Sequence, residues 1–203
     1  RQRQMCIRDR PNKDDVIAWR GPILDRALTQ LLADVHWGDL DYLLLDLPPG
    51  TGDIAMSLGQ KVPTAEVLVV TTPQQAASEV AERAGTMAAL MNQKIIGVVE
   101  NMSWLAFTAP DTGKEYRIDL FGSGGGQEAA DALSKRLGTE VPLLAQVPMD
   151  IELRKGGDEG DPIVTAHPES PAAQAIVELA KNLDSRPRGL SGMHLGVSPT
   201  NNA

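Results

Sequence analysis

Between Asp41 and Asp53 the chain reads Asp-Tyr-Leu-Leu-Leu-Asp-Leu-Pro-Pro-Gly-Thr-Gly-Asp, and this string narrows the possible folds more than any other. An apolar run of this length, ended by an acid and then Pro-Pro-Gly, predicts a buried parallel strand over Asp41 to Leu47 whose carboxyl end meets a ligand. Asp46 is placed to hold a hydrated Mg²⁺ through water. Gly50 and Gly52, beside Pro49, let backbone N–H groups approach a terminal phosphate closely and move when it leaves. The plain alternative is a strand end followed by a Pro-Gly turn, and the second acid, Asp53, weighs against it.

Strands and helices alternate along the rest of the chain. Pro22 suits a helix start, and Ile23, Leu24, Ala27, Leu28, Leu31, Leu32 and Val35 recur at helical spacing. Glu66 to Thr71 reads as a strand stopped by Pro73, Ala76 to Met91 as a helix, and Lys94 to Glu100 as a third strand. Gly126 to Leu137 reads as a helix closed by Gly138, Val141 to Val147 as a strand ended by Pro148, and Pro171 to Leu183 as a last helix. This order predicts an α/β fold, doubly wound around a mostly parallel sheet.

Composition bounds the function. With 42% hydrophobic and only 3% aromatic residues in 203, one globular domain fits, its core built from Leu, Val, Ile, Ala and Met. A net charge of -8 argues against nucleic acid or an anionic membrane as partner, since both need clustered Lys and Arg. No apolar stretch approaches the ~20 residues of a membrane span. The single cysteine, Cys6, excludes an internal disulfide and predicts a cytoplasmic location. His36, His167 and His194 are scattered, with no ligand spacing to another His or acid.

Four motifs in order carry a resemblance: Asp46 to Asp53, Val69-Val70-Thr71-Thr72-Pro73-Gln74, Gly97-Val98-Val99-Glu100-Asn101-Met102-Ser103 and Phe121-Gly122-Ser123-Gly124-Gly125-Gly126. From about Val16 to about Val197 the chain resembles the Mrp/ApbC family of iron–sulfur carrier P-loop ATPases, relatives of MinD and ParA. The resemblance implies ATP and Mg²⁺ as cofactors, ATP hydrolysis coupled to cluster transfer, a homodimer, and iron–sulfur apoproteins as partners. It implies that Asn101 reads adenine, where the alternative is a strand-end turn. Pro148 and Asp150, with Met149, resemble the segment lining the opposite side of the base. Asp53 resembles the acid beyond the switch loop that orients water, and helix capping ahead of Ile54 is its rival. Phe121 to Gly126 resembles a tight loop near the subunit interface; without a following Lys it is a poor phosphate cradle. Arg20, in Trp19-Arg20-Gly21-Pro22, meets phosphates across a dimer or pairs with a surface acid. The segment Thr108 to Lys114 reads as a turn or short hairpin.

Two expected features are absent from the sequence. No Gly-x-x-x-x-Gly-Lys-Ser/Thr string occurs, and Gly113-Lys114 is followed by Glu115. The expectation is therefore a fragment lacking the phosphate-loop strand, with the intact parent an ATPase and the fragment inactive. Residues 1–10 match nothing in the family and read as a non-native head, 11–184 as a partial NTPase domain, and 185–203 as a flexible tail. The second absence is a Cys-x-x-Cys pair between Trp104 and Leu120, so no iron–sulfur ligands are assigned in this chain. A MinD-like positioning ATPase is the first alternative, but it needs a basic amphipathic terminal helix that the tail does not supply. A nucleotide-sensing scaffold without a cluster is the second.

Overall fold

The computed structural model describes residues 21–47 and 53–186. Residues 1–20, 48–52 and 187–203 lie outside them, and with them the expectations for Cys6, Arg20, Pro49, Gly50 and Gly52. The described residues fall into two compact units, one of residues up to 66 with 87–94, the other of 67–86 with those from 95 onward.

In the first unit, helix α1 (Gly21–Ala33) packs on helix α2 (Asp53–Lys61). Asp25 joins them. Its carboxylate accepts from Ser57 Oγ and faces Lys61 Nζ at 3.2 Å. The Ser57 hydroxyl, and after it Lys61, hold the Asp25 carboxyl below the usual carboxylate range.

The strand expected over Asp41 to Leu47 is not formed; the backbone there belongs to no ladder, and Leu44 is 90% exposed. The Leu-rich pattern sets which side chains want burial, but a strand also needs a neighbour for its N–H and C=O groups. None of the described residues pairs with it as a strand.

The second unit holds a four-stranded sheet, β1 (Glu66–Thr71), β2 (Lys94–Thr108), β3 (Glu115–Ile118) and β4 (Leu143–Met149). β1 and β4 both adjoin the long strand β2, with β4 parallel to it and β3 antiparallel. Helix α3 (Gln75–Leu90) joins β1 to β2, and helix α4 (Gly125–Leu137) leads to β4. After β4 come α5 (Ile151–Glu159), α6 (Ile163–Ala166) and α7 (Pro171–Asp184), with α7 packed on β4. Val99 and Val147 of the sheet meet Ile163, Ala172 and Ala173 in a core without aromatic rings, as the composition requires. The small Ala172 and Ala173 let α7 approach the strands closely.

The ends of β2 and β4 differ from expectation, and β4 starts at Leu143 rather than Val141. β2 runs eight residues past Glu100 and turns back through Ala109 to Lys114 into β3, where Ala109 N–H donates to the Lys114 carbonyl at 2.9 Å. This is the short hairpin. It carries Phe107 stacked on Tyr116 at 5.4 Å and Arg117 over the Trp104 ring at 4.1 Å. Pro148 does not end β4 but sits inside it. Proline is tolerated there because, among the described strands, β4 pairs on one side only.

Candidate functional site

The carboxyl end of β4 lies beside the middle of β2, where Leu105 is in register with Met149 and Asn101 with Val147. Pro148 follows at once, buried, and Asp150 two residues later. The structure therefore brings Asn101, Pro148 and Asp150 together beside the carboxyl end of β4, and doubly wound folds take their ligands at the carboxyl ends of their parallel strands.

Local chemistry shapes that end. At Asn101 the ladder with β4 is interrupted and resumes only at Leu105. Asn101 Oδ1 accepts the Met102 N–H at 2.8 Å, Met102 takes a left-handed φ of 56°, and buried Ser103 donates its hydroxyl to the Glu100 carbonyl at 3.0 Å. These side-chain bonds replace ladder bonds and make a bulge, a device that re-aims side chains beside sites. The Asn101 carbonyl oxygen is engaged in the turn, as the turn-residue alternative expects. Its NH₂ group is the donor it can offer to a base edge.

Asp150 is the N-cap of α5; its Oδ1 accepts from Glu152 N–H at 2.7 Å and Leu153 N–H at 3.3 Å. Capping of this kind stabilises a helix by ~1 kcal/mol. The capping role was missed in the sequence, although Asp ahead of Ile-Glu-Leu is a helix-start signal.

Glu100 was also missed as a residue in its own right. Only 1% exposed, it sits in the continuous buried run Val98, Val99, Glu100. An acid in such a run is expensive to bury unless hydrogen-bonded. Here Oε2 accepts the Gly126 N–H at 2.6 Å and Oε1 accepts Gln146 Nε2 at 2.8 Å. Gly126 lies in the first turn of α4, where an acidic group is favoured by the helix dipole. The glycine string therefore meets a protein carboxyl group at Gly126, which gives a physical reason to reject the phosphate cradle.

Asp46 lies at the end of the 41–47 segment with an exposed side chain, and α2 begins at Asp53; both belong to the first unit. Among the described residues no group of three or more His, Cys, Asp and Glu is placed to hold a metal ion. A single exposed carboxylate still suits Mg²⁺, which keeps most of its waters and leans on substrate phosphates. His36 is exposed. His167 has two acids nearer than its sequence spacing implies, Glu169 at 3.6 Å and Glu152 at 3.7 Å, in an exposed surface pairing. No helix among the described residues is long and apolar enough to cross a membrane.

A mostly parallel sheet flanked by helices, with polar side chains gathered at its carboxyl edge, defines the doubly wound nucleotide-binding class. Over residues 5–184 the chain matches the ParA family described as NUBPL iron-transfer P-loop NTPase, and it belongs to that family. It is 55% identical over 184 residues to the iron-sulfur cluster carrier protein of Mycobacterium leprae, covering 91% of this chain and 47% of that protein. It is 48% identical over 167 residues to the protein of the same description from Deinococcus radiodurans, covering 82% of this chain and 44% of that one. The chain thus spans about half the length of the curated relatives it matches. Among solved structures, a nucleotide-binding protein from Archaeoglobus fulgidus in complex with ADP superposes with a TM-score of 0.54 at 36% identity, covering 68% of this chain and 53% of that one. The septum site-determining protein MinD of Pyrococcus horikoshii, complexed with Mg-ADP, gives 0.56 at 25% identity, with 88% and 60% covered.

Proposed function

We propose that this chain forms the base-reading part of an ATP-dependent iron–sulfur cluster carrier, in which ATP binding and hydrolysis are coupled to cluster transfer to apoproteins. The observation that carries the reading is the Asn101 bulge beside the carboxyl end of β4, in a chain whose relatives bear the description of cluster carriers. Asn101 offers its amide to the adenine edge, while Pro148 and Asp150 line the other side of the base. Asp46 holds Mg²⁺ through water, Pro49, Gly50 and Gly52 follow the terminal phosphate, and Asp53 orients the attacking water. Bound Mg²⁺ supplies charge neutralisation at the phosphates. The active form is a homodimer in the cytoplasm, and the cluster is its cargo.

The chain contains no phosphate-loop Lys and no Cys pair. Binding of Mg-ATP by the chain itself is accordingly weak, and no cluster ligand is assigned in it. The missing pair also favours a second reading, a nucleotide-responsive scaffold that carries no cluster. Iron and acid-labile sulfide, measured on a form extended to the length of the relatives, separate the two. Stoichiometric iron and sulfide support the carrier; a colourless, iron-free protein that still hydrolyses ATP overturns it in favour of the scaffold.

A further inference from the structure

Three separate segments of the second unit meet at one buried side chain. Glu100 precedes Asn101 by a single peptide bond, its Oε2 accepts the N–H of Gly126 at 2.6 Å, and its Oε1 accepts Gln146 of β4 at 2.8 Å. Gln146 is in register with Glu100 and stands two residues before Pro148. The contact with the glycine loop is tight as well as polar: a Cβ on Gly126 would stand 2.6 Å from the Glu100 Cβ, closer than real Cβ atoms come. Next to it, Gly125 is fixed to α3, its carbonyl accepting from Ser78 Oγ at 2.8 Å, and it lies tight against the Pro73 carbonyl between β1 and α3.

We propose that Glu100 is the positioning residue that links the Asn101 bulge to the glycine loop Gly122–Gly126, so that occupation of the base site changes that loop. The inference rests on the proposed reading of Asn101 as a base reader. Asn101 Oδ1 holds the Met102 N–H, and Ser103 holds the Glu100 carbonyl. An Asn101 side chain that turns to a base releases or strains the first of these bonds, and the bulge adjusts. Glu100 lies within that bulge's hydrogen bonding, and its carboxyl group has no slack toward Gly126. The shift is handed to the start of α4 through one side chain. Spatial adjacency alone does not establish such coupling, so the test must read both ends at once.

The experiment is two-dimensional amide NMR of the 203-residue chain during titration with Mg-ATP into the millimolar range. One set of reporters is the Asn101 side-chain NH₂ and the Met102 N–H, and the other is the N–H groups of Gly124 and Gly126. In the unaltered chain both sets shift along one binding curve. In Glu100→Met, which keeps the volume and removes both acceptors, the Asn101 set still shifts while the glycine shifts shrink at least about fivefold. Glu100→Gln restores more than half of the glycine response, because its carbonyl still accepts from Gly126 and Gln146 can turn its amide to accept from the new NH₂. Should Glu100→Met not fold, Glu100→Asp, one methylene too short to reach Gly126, carries the same expectation. A purely structural role for Glu100 predicts that both sets lose their response together, and that result overturns the proposal. So does a glycine response that survives undiminished in Glu100→Met. If the Asn101 set does not shift in the unaltered chain, the base-reading proposal itself fails and this one with it. If it shifts while the glycines stay still, only the coupling fails.

Discussion

Ser78 Oγ donates to the carbonyl oxygen of Gly125 at 2.8 Å, and both residues are buried. This bond brings the backbone of the glycine loop onto the start of α3. A side chain at Gly125 would collide with the Pro73 carbonyl and crowd the Ser78 hydroxyl. Gly125→Ala is therefore expected to lower stability by about 2–3 kcal/mol through overpacking against backbone. Ser78→Ala, which only unpairs one carbonyl, costs about 1 kcal/mol. Urea denaturation followed by tryptophan fluorescence checks the order of the two. Equal midpoints would show that the loop can withdraw from Pro73 at no cost.

The Asp25 carboxyl gives a pH dependence with a definite sign. Its folded-state pKa lies below the unfolded value, chiefly through Ser57 and then Lys61. Its contribution is therefore complete above the unfolded pKa of about 3.9 and disappears as pH falls through the lower folded value. The group is exposed, so the effect is small and salt-screened. Asp25→Asn should lose helix along a shallower acid limb than the unaltered chain by circular dichroism. Coincident curves would show that the α1–α2 contact does not depend on this charge.

Residues 43–47 should exchange their amide hydrogens fast. No ladder protects them, whereas Val98, Val99 and Glu100 lie in the centre of the sheet. Exposed Leu43, Leu44 and Leu45 make the segment a site for pairing with a second chain. Hydrogen exchange at low concentration, followed by light scattering as concentration rises, is the check. Fast exchange below and self-association above are expected. Protected amides in a monomer would mean that the segment has found a strand partner.

What could be read in the sequence divides along physical lines. Glu66–Thr71 has the expected bounds, and Gly125–Leu137 and Pro171–Asp184 fall within one residue of theirs, because β-branched runs and helical periodicity are local signals. The continuation of β2 past Asn101 was hidden, since Asn-Met-Ser reads as a break and the bulge depends on side-chain bonds across several residues. Helix α5 was hidden by Gly156 and Gly157, which lower helix propensity; the Asp150 cap and its packing beside α6 hold it nonetheless. Asn101 reads in the sequence as a strand end, whereas it stands at a bulge inside β2. Glu100 could not be assigned a role, because its two partners are 26 and 46 residues away in sequence.

The cluster makes a prediction of its own. With one cysteine in the sequence, Cys6→Ser leaves no thiolate, and reconstitution of this chain with iron and sulfide should leave it colourless. A persistent visible absorption with stoichiometric iron would assign the cargo to His or carboxylate ligands instead.

The central claim is that the bulge in β2 reads adenine through Asn101. Its most direct test is competition between ATP and GTP, measured by calorimetry on a form extended to the length of the relatives, with and without Asn101→Ala. The account predicts a clear preference for ATP in the unaltered protein that falls about tenfold or more when the amide is removed, since a base edge then loses its hydrogen-bonding partner. An ATP preference unchanged by Asn101→Ala would contradict it.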